Sequence, residues 1–352
     1  MPSANVLSIS ELNLWGCNCP DDASQRLDLS LVWAGSGLEL YFTGTELAFQ
    51  LEADFQQCEP WIAVEQNGAP LLRMPLSRGV SEVCLFRGMT DGVPKHVRLF
   101  KETQPILDAL GHRLTVKAVR WEGGGLQPFL TPPPPSCYLH FIGDSLTSGE
   151  GVVGALQETD WVPALFSASQ TWARHAARLL GGEFSTVSQS GWGLRSGWDN
   201  DPSHRLPALY EQVQGKFGAS PDAVIINLGT NDASAMKNPP FICPDRSVFK
   251  QEDSLEGFAL VEQSAVDFLC MLRRCHPRAK LVWAYGMAED PLRPAFERAV
   301  NRFRSECGDP DAYYLPLPSV TAETMGSRQH PGPVCHQEAG RITADFLETI
   351  LR

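Results

Sequence analysis

Through most of the first third of the chain, apolar and polar residues alternate with a period of two. Leu38, Leu40 and Phe42 alternate with Glu39, Tyr41 and Thr43; past Gly44-Thr45, Leu47, Phe49 and Leu51 alternate with Ala48, Gln50 and Glu52. A two-residue period places every second side chain on one face of a strand, so this segment predicts a hairpin turning at Gly44-Thr45 with one face buried. Trp61-Ile62-Ala63-Val64, Asn67-Gly68 and Leu71-Leu72 repeat the theme. Asn-Gly suits a type I′ turn, whose two central residues both need positive φ. Val83–Phe86, His96–Phe100 and Arg113–Trp121 add further strands. Many short strands with few helical stretches predict an antiparallel β-sandwich over residues 1–126.

The pattern then breaks. Gly123-Gly124-Gly125 leads to Thr131-Pro132-Pro133-Pro134-Pro135, and prolines cannot donate to a sheet, so residues 127–136 read as a semi-rigid linker. Beyond it, Tyr138–Ile142, Ala223–Leu228, Leu281–Tyr285 and Tyr313–Leu317 are near-continuous apolar runs, the mark of parallel strands covered on both faces. Thr171–Leu180, Leu255–Arg274 and Ala295–Arg304 carry apolar residues at helical spacing. A last helix is predicted over Glu338–Leu351, with Ala339, Ile342, Ala344, Phe346 and Ile350 on one side. Residues 137–352 therefore predict a three-layer α/β domain with a parallel sheet, whose active site lies at the carboxyl ends of the strands.

Composition changes this picture in three ways. The 352 residues favour two domains, and 43% hydrophobic with 20% charged residues is ordinary for a globular chain, which excludes disordered and fibrous classes. A formal net charge of -12 repels polyanions, so nucleic acid and anionic membrane surfaces are excluded as partners and a neutral small molecule or oligosaccharide fits better. No apolar run reaches the roughly eighteen residues needed to span a bilayer. Met1-Pro2-Ser3-Ala4-Asn5 has neither the basic nor the apolar segment of a secretory signal, so a cytoplasmic location is expected. The ten cysteines include no Cys-x-x-Cys pair, and several lie in apolar runs, such as Cys270 within Val266–Met271. They read as buried free thiols rather than a metal site, with Cys17-Asn18-Cys19 as the one cluster.

Four short blocks carry chemistry. Ser145, in Phe141-Ile142-Gly143-Asp144-Ser145-Leu146, directly follows a predicted strand, where a turn can project its Oγ as a nucleophile; a turn or N-cap serine is the plain alternative. The surroundings are not the Gly-x-Ser-x-Gly elbow of α/β-hydrolases. Asn231, in Gly229-Thr230-Asn231-Asp232, ends another strand and offers an uncharged donor to a developing oxyanion, against an Asx-turn as the alternative, while Asp232 reads as structural. Gly191, in Ser188-Gln189-Ser190-Gly191-Trp192-Gly193, offers a backbone N–H that no side chain hinders; a plain turn glycine is the other reading. His330 precedes Pro331, which excludes helix there, so the imidazole sits in a loop before the last helix and is the best general base among eight histidines. His336 and His140 read as structural.

These blocks, in this order, resemble the SGNH (GDSL) hydrolase family. The resemblance implies a flavodoxin-like α/β/α domain with Ser145 as nucleophile and His330 as base. It also implies an oxyanion hole from the Ser145 and Gly191 N–H groups and the Asn231 amide. A narrower match is to carbohydrate esterase family 2, two-domain acetyl esterases whose SGNH domain follows a jelly-roll-like β-sandwich. It is carried by Trp33-Ala34-Gly35-Ser36-Gly37, Leu40-Tyr41-Phe42-Thr43-Gly44-Thr45, His96–Thr103 and Ile225–Asp232. One position departs from the wider family: Ser327 stands where an aspartate usually precedes the histidine by three residues. Family 2 members also tend to lack it and resemble a Ser–His dyad. A backbone carbonyl or Glu323 then has to hold the imidazole.

The function expected is a serine esterase removing O-acetyl groups from carbohydrates through an acyl-enzyme, with no metal or organic cofactor. Trp192 and Trp198 follow Gly191 and are candidates to stack on a sugar ring, or else to pack their own loop. The alternatives are an esterase, thioesterase or lipase on non-carbohydrate acyl groups, and an inactive glycan-binding protein.

Overall fold

The computed structural model describes residues 13–15, 18–20, 28–107, 111–214 and 220–352. They form two compact units. The first is built from the described residues up to Pro135 together with Val162–Ser169; the second from Ser136–Trp161 and the described residues between Gln170 and Arg352.

The first unit contains β1 (Asn13–Trp15), β2 (Asn18–Pro20), β3 (Leu29–Leu31), β4 (Gly37–Phe42), β5 (Glu46–Asp54), β6 (Trp61–Gln66), β7 (Ala69–Pro75), β8 (Gly79–Phe86), β9 (Lys95–Lys101), β10 (Arg113–Glu122) and β11 (Phe129–Leu130). Among the described residues they make two antiparallel sheets. One has the order β1-β4-β9-β6-β7, with β11 also pairing β4; the other has the order β2-β3-β10-β5-β8. The inward positions of both sheets meet in one core. Leu38, Leu40 and Phe42, Ile62 and Val64, and Val97 and Leu99 come from the first sheet; Leu47, Phe49 and Leu51, Leu114, Val116 and Val119 come from the second. Burying each such side chain contributes about 1.5–3 kcal/mol, so the alternation read from the sequence is what holds the sandwich together. In β10 a bulge between Val116 and Ala118 shifts the register, which lets Val116 and Val119, three apart, both face inward.

The expected hairpin at Gly44-Thr45 does not form. Strand β4 pairs β9 in one sheet and β5 pairs β10 and β8 in the other, so the chain crosses between layers here. A period of two reports which side chains face the core, and says nothing of which strand is the neighbour. The crossing satisfies its own polar groups: Thr43 N–H donates to Pro128 O at 2.9 Å and Thr45 N–H to Glu122 O at 2.7 Å. The buried Lys95 ammonium donates to the carbonyls of Gly44, Thr90 and Val93 at 2.7, 2.8 and 2.9 Å. The Asn67-Gly68 hairpin does form, joining β6 to β7 with φ of 52° and 77°. The expected linker is also partly strand: Phe129 and Leu130 pair with β4, and the Phe129 ring packs against Phe42 and Trp121.

The second unit holds β12 (Tyr138–Gly143), β13 (Glu183–Ser188), β14 (Ala223–Asn227), the small hairpin β15 (Phe241–Ile242) and β16 (Val248–Phe249), β17 (Lys280–Tyr285) and β18 (Ala312–Pro316). Its helices are α1 (Ser145–Ser148), α2 (Trp172–Leu180), α3 (Leu206–Val213), α4 (Thr230–Lys237), α5 (Leu255–Cys275), α6 (Arg293–Cys307) and α7 (Pro333–Ile350). Among the described residues five strands form a parallel sheet of order β13-β12-β14-β17-β18, flanked by the packed pairs α2–α7 and α5–α6. The last helix begins at Pro333, earlier than the expected Glu338, because proline fits the first helical position, where its missing N–H has no intrahelical partner. No described helix is long and apolar enough to cross a membrane.

The thiols correct the sequence reading. Cys137 and Cys335 are buried, but Cys84 and Cys307 are exposed and Cys58, Cys243, Cys270 and Cys275 are intermediate. Cys270 sits in an apolar run on α5, and helical periodicity turns it away from the fully buried stripe of Val266, Phe268 and Leu269. Cys17 lies outside the described residues.

Candidate active site

Strand β12 ends at Gly143, and Asp144 caps the short helix that follows by accepting from Leu146 N–H at 3.0 Å. That turn sets Ser145 at the first position of α1, at the carboxyl edge of the sheet. Its backbone N–H is one of the helix's leading donors, which have no partner inside the helix. His330 lies in the loop before α7, and its Nε2 stands 2.9 Å from Ser145 Oγ although 185 residues separate them.

The imidazole is held from behind. Arg328 and Gln329 both take left-handed backbone conformations, with φ of 55° and 59°. This conformation, uncommon for such side chains, turns the Arg328 carbonyl back toward the ring, and His330 Nδ1 meets it at 2.9 Å. A carbonyl can only accept, so Nδ1 carries the hydrogen and the neutral ring presents its Nε2 lone pair to the serine. Glu323, the other candidate for this role, is exposed and accepts from Thr321 instead. The position of the missing aspartate is used differently: Ser327 N–H donates to Gly151 O at 3.0 Å and Ser327 Oγ to Val153 O at 3.0 Å. These bonds draw the histidine loop onto the segment after α1. The approach is close enough that a Cβ on Gly151 (φ 72°) would lie 2.5 Å from Ser327 O and 2.6 Å from His330 Cβ.

Asn231 opens α4 at the end of β14, and Gly191 follows β13, so three neighbouring strand ends converge. Asn231 Nδ2 donates to Trp192 O at 2.9 Å and to Asp144 Oδ2 at 3.2 Å, which fixes the plane of its amide. Gly191 has φ 79°, and a Cβ there would meet Trp198 Cδ1 at 3.1 Å. Its own N–H makes no hydrogen bond among the described residues. Burial raises the Asp144 carboxyl to about 7, with Asp232 and Glu150 adding to the effect, although the Leu146 N–H bond works the other way. Asp232, also buried and raised by desolvation, accepts from Leu194 and Arg195 N–H at 2.8 Å each and from Gln251, tying α4 to the Gly191 loop.

Ser145, Gly191, Asn231 and His330 share a cavity of about 590 Å³ with Glu150, Trp161, Trp198 and Arg328. Trp198, about half exposed, lines it. Trp192 does not: its ring stacks on His204 at 5.0 Å, packing the loop. His140 meets Ser185 Oγ and burial lowers it to about 3; His336 accepts from Trp172 N–H and is lowered likewise to about 3. Both are interior residues, as the sequence suggested. No three His, Cys, Asp or Glu side chains among the described residues gather to hold a metal ion.

Residues 141–338 match the GDSL-like lipase/acylhydrolase family. The chain belongs to that family. This acylhydrolase is similar along almost its whole length to the structure of an acetyl xylan esterase from the rumen bacterium Butyrivibrio proteoclasticus. The identity is 35% and the TM-score 0.92, covering 98% of this chain and 96% of the other. It is also similar to the cellulase/esterase CelE of Acetivibrio thermocellus, at 27% identity over 325 residues; that match covers 89% of this chain but 37% of the longer relative. A family two carbohydrate esterase from Clostridium thermocellum, in complex with cellohexaose, shares the fold at 23% identity and a TM-score of 0.78, covering 96% and 99% of the two chains.

Two features of this acylhydrolase escaped the sequence reading. Trp161 lines the cavity although it lies far from the motifs, and Glu150 brings a buried carboxylate beside the histidine. The only sequence signal for the second is an acid set between glycines, Gly149-Glu150-Gly151, directly after the nucleophile's turn.

Proposed function

We propose that the protein is a serine esterase that removes O-acetyl groups from carbohydrates by a Ser–His mechanism. The observation that carries this reading is the 2.9 Å contact of Ser145 Oγ with His330 Nε2, inside a cavity that also holds Gly191 and Asn231. The acetyl xylan and family two carbohydrate esterases among its relatives support acetylated sugar as the substrate class.

In the first half-reaction Ser145 Oγ attacks the acetyl carbonyl carbon and its proton passes to His330 Nε2. The Nδ1–H of the resulting imidazolium stays bonded to the Arg328 carbonyl. The carbonyl oxygen, now negative, accepts from the backbone N–H groups of Ser145 and Gly191 and from Asn231 Nδ2, replacing the longer of the two bonds that amide makes in the free protein. His330 then protonates the departing sugar oxygen and the C–O bond breaks, leaving acetyl on Ser145. Water, deprotonated by the same Nε2, attacks the acyl-enzyme and releases acetate. Trp161 and Trp198 flank the cavity with aromatic surface suited to a sugar ring.

Acetate release from acetylated xylo-oligosaccharides, set beside p-nitrophenyl esters of increasing acyl length, tests this reading. Turnover of the sugar esters with a preference for acetyl is expected. Activity that peaks on long acyl chains and ignores the sugars would overturn it.

A further inference from the structure

A carbonyl in place of a carboxylate leaves a need unmet: it orients the imidazole but brings no full negative charge to stabilise the ring once protonated. The structure holds such a charge elsewhere. We infer that Glu150 is a positioning residue for His330, acting through Arg328 and through its own charge to stabilise the imidazolium formed during ester hydrolysis. The inference rests on the esterase reading above.

Glu150 is attached to both halves of the site. Its backbone N–H donates to Ser145 O at 3.1 Å, closing the nucleophile's turn. Its side chain, almost fully buried, accepts from Arg328 Nε at 2.7 Å. The Arg328 guanidinium also donates to Thr159 O at 2.6 Å and its backbone N–H to Glu158 O at 2.8 Å. Three bonds therefore hold the left-handed residue whose carbonyl receives His330 Nδ1. The same Glu150 Oε1 lies 3.9 Å from His330 Nε2, within the distance at which an opposite charge favours the protonated ring.

The other charged groups around the imidazole set the sign. The Arg328 guanidinium is the nearby cation and opposes protonation. Asp144, with Asp232 behind it, faces Glu150 from the α1 cap and α4, and burial, which raises its carboxyl to about 7, withdraws part of its negative charge near neutral pH. His336, facing from α7, is held neutral by burial and adds no charge. Glu150 is thus the anion beside His330. Replacing it with glutamine removes that charge and leaves the Arg328 cation unopposed, so both changes disfavour the imidazolium. Replacing Arg328 with glutamine does the reverse.

The test is the pH profile of kcat/KM on an acetyl ester for wild type, Glu150→Gln and Arg328→Gln, with Ser145→Ala in parallel. The acid limb is expected to move down by about one pH unit in Glu150→Gln and up in Arg328→Gln, with kcat lowered about tenfold or more and KM changed little. A purely structural anchor would lower the rate in both variants and leave the limb where it was, which would overturn the inference. Should Glu150→Gln fail to fold, the Glu150→Gln/Arg328→Gln double variant, which leaves neither charge of the pair unopposed, is compared with Arg328→Gln: a lower acid limb in the double variant is expected, and equal limbs overturn the inference. Full activity in Ser145→Ala would instead bring down the esterase mechanism on which the inference rests.

Discussion

The carbonyl oxygen of Arg328 accepts a hydrogen bond from Nδ1 of His330, two residues later, at 2.9 Å. This single contact decides which imidazole nitrogen is free to face Ser145. It exists because Arg328 and Gln329 are both left-handed, a local cost of order 1–3 kcal/mol per residue that the surrounding bonds must offset. The glycine beneath this loop is part of that support.

Gly151→Ala should therefore damage the site. A Cβ there meets Ser327 O and His330 Cβ at about 2.5 Å, and its positive φ penalises alanine in addition. Because a 1 Å misplacement of the base can cost about a hundredfold, kcat should fall by roughly that factor with a Tm lowered by several degrees. Steady-state kinetics and a thermal melt on the purified variant check this; an unchanged kcat would show that the loop does not need its close approach.

Asn231→Ala removes one of the three proposed oxyanion donors. Loss of such a donor costs on the order of 10²–10³ in kcat, with little change in KM because the bond strengthens only as charge develops. A loss confined to KM would reassign Asn231 to ground-state binding. The circular dichroism spectrum should stay native.

The tryptophans should separate. Trp198→Ala is expected to raise KM for an acetylated oligosaccharide about three- to tenfold, while leaving p-nitrophenyl acetate, which has no sugar ring to stack, nearly unaffected. Trp192→Ala should affect both substrates alike, because its ring packs on His204 and its carbonyl holds Asn231. Equal effects of the Trp198 change on both substrates would remove it from sugar binding.

Burial gives His140 a measurable stability signature. An ordinary histidine titrates near 6.5, and burial holds this one at about 3. As pH falls from about 6.5 toward 3, the unfolded chain takes up a proton that the folded protein refuses, so stability declines by up to about 1.4 kcal/mol per pH unit from this group. In His140→Gln that contribution is gone, so the variant should lose about 2 kcal/mol less than wild type between pH 7 and pH 5 in urea unfolding. Asp144, raised to about 7, contributes with the opposite sign in both proteins and cancels in the comparison. Identical pH slopes would show that His140 is not buried as a neutral ring.

Much of this molecule was legible in its sequence, and the illegible parts share a cause. Alternation located the strands of the sandwich, and near-continuous apolar runs located the parallel strands, because burial of one or both faces is written in the local pattern. Pairing is not local. Leu38–Phe42 and Leu47–Leu51 look like two arms of one hairpin, yet they belong to different sheets. Ser145, Gly191, Asn231 and His330 could be named because each lies in a motif beside the end or start of a recognisable element. Glu150 and Trp161 could not, since their work is done by contacts such as that of Glu150 with Arg328, 178 residues away, which no spacing rule encodes. The carbonyl that holds His330 belongs to the backbone, and any residue type at position 328 supplies one. Only the turn conformation identifies it.

The most direct test of the Ser145–His330 assignment is the initial rate of acetate release from an acetylated sugar ester by wild type, Ser145→Ala and His330→Ala, each confirmed as folded. Both substitutions should reduce kcat by several powers of ten, and the double variant should be scarcely worse than either, because nucleophile and base act as one unit. Substantial acetate release by Ser145→Ala, or losses in the two single variants that multiply in the double, would contradict it.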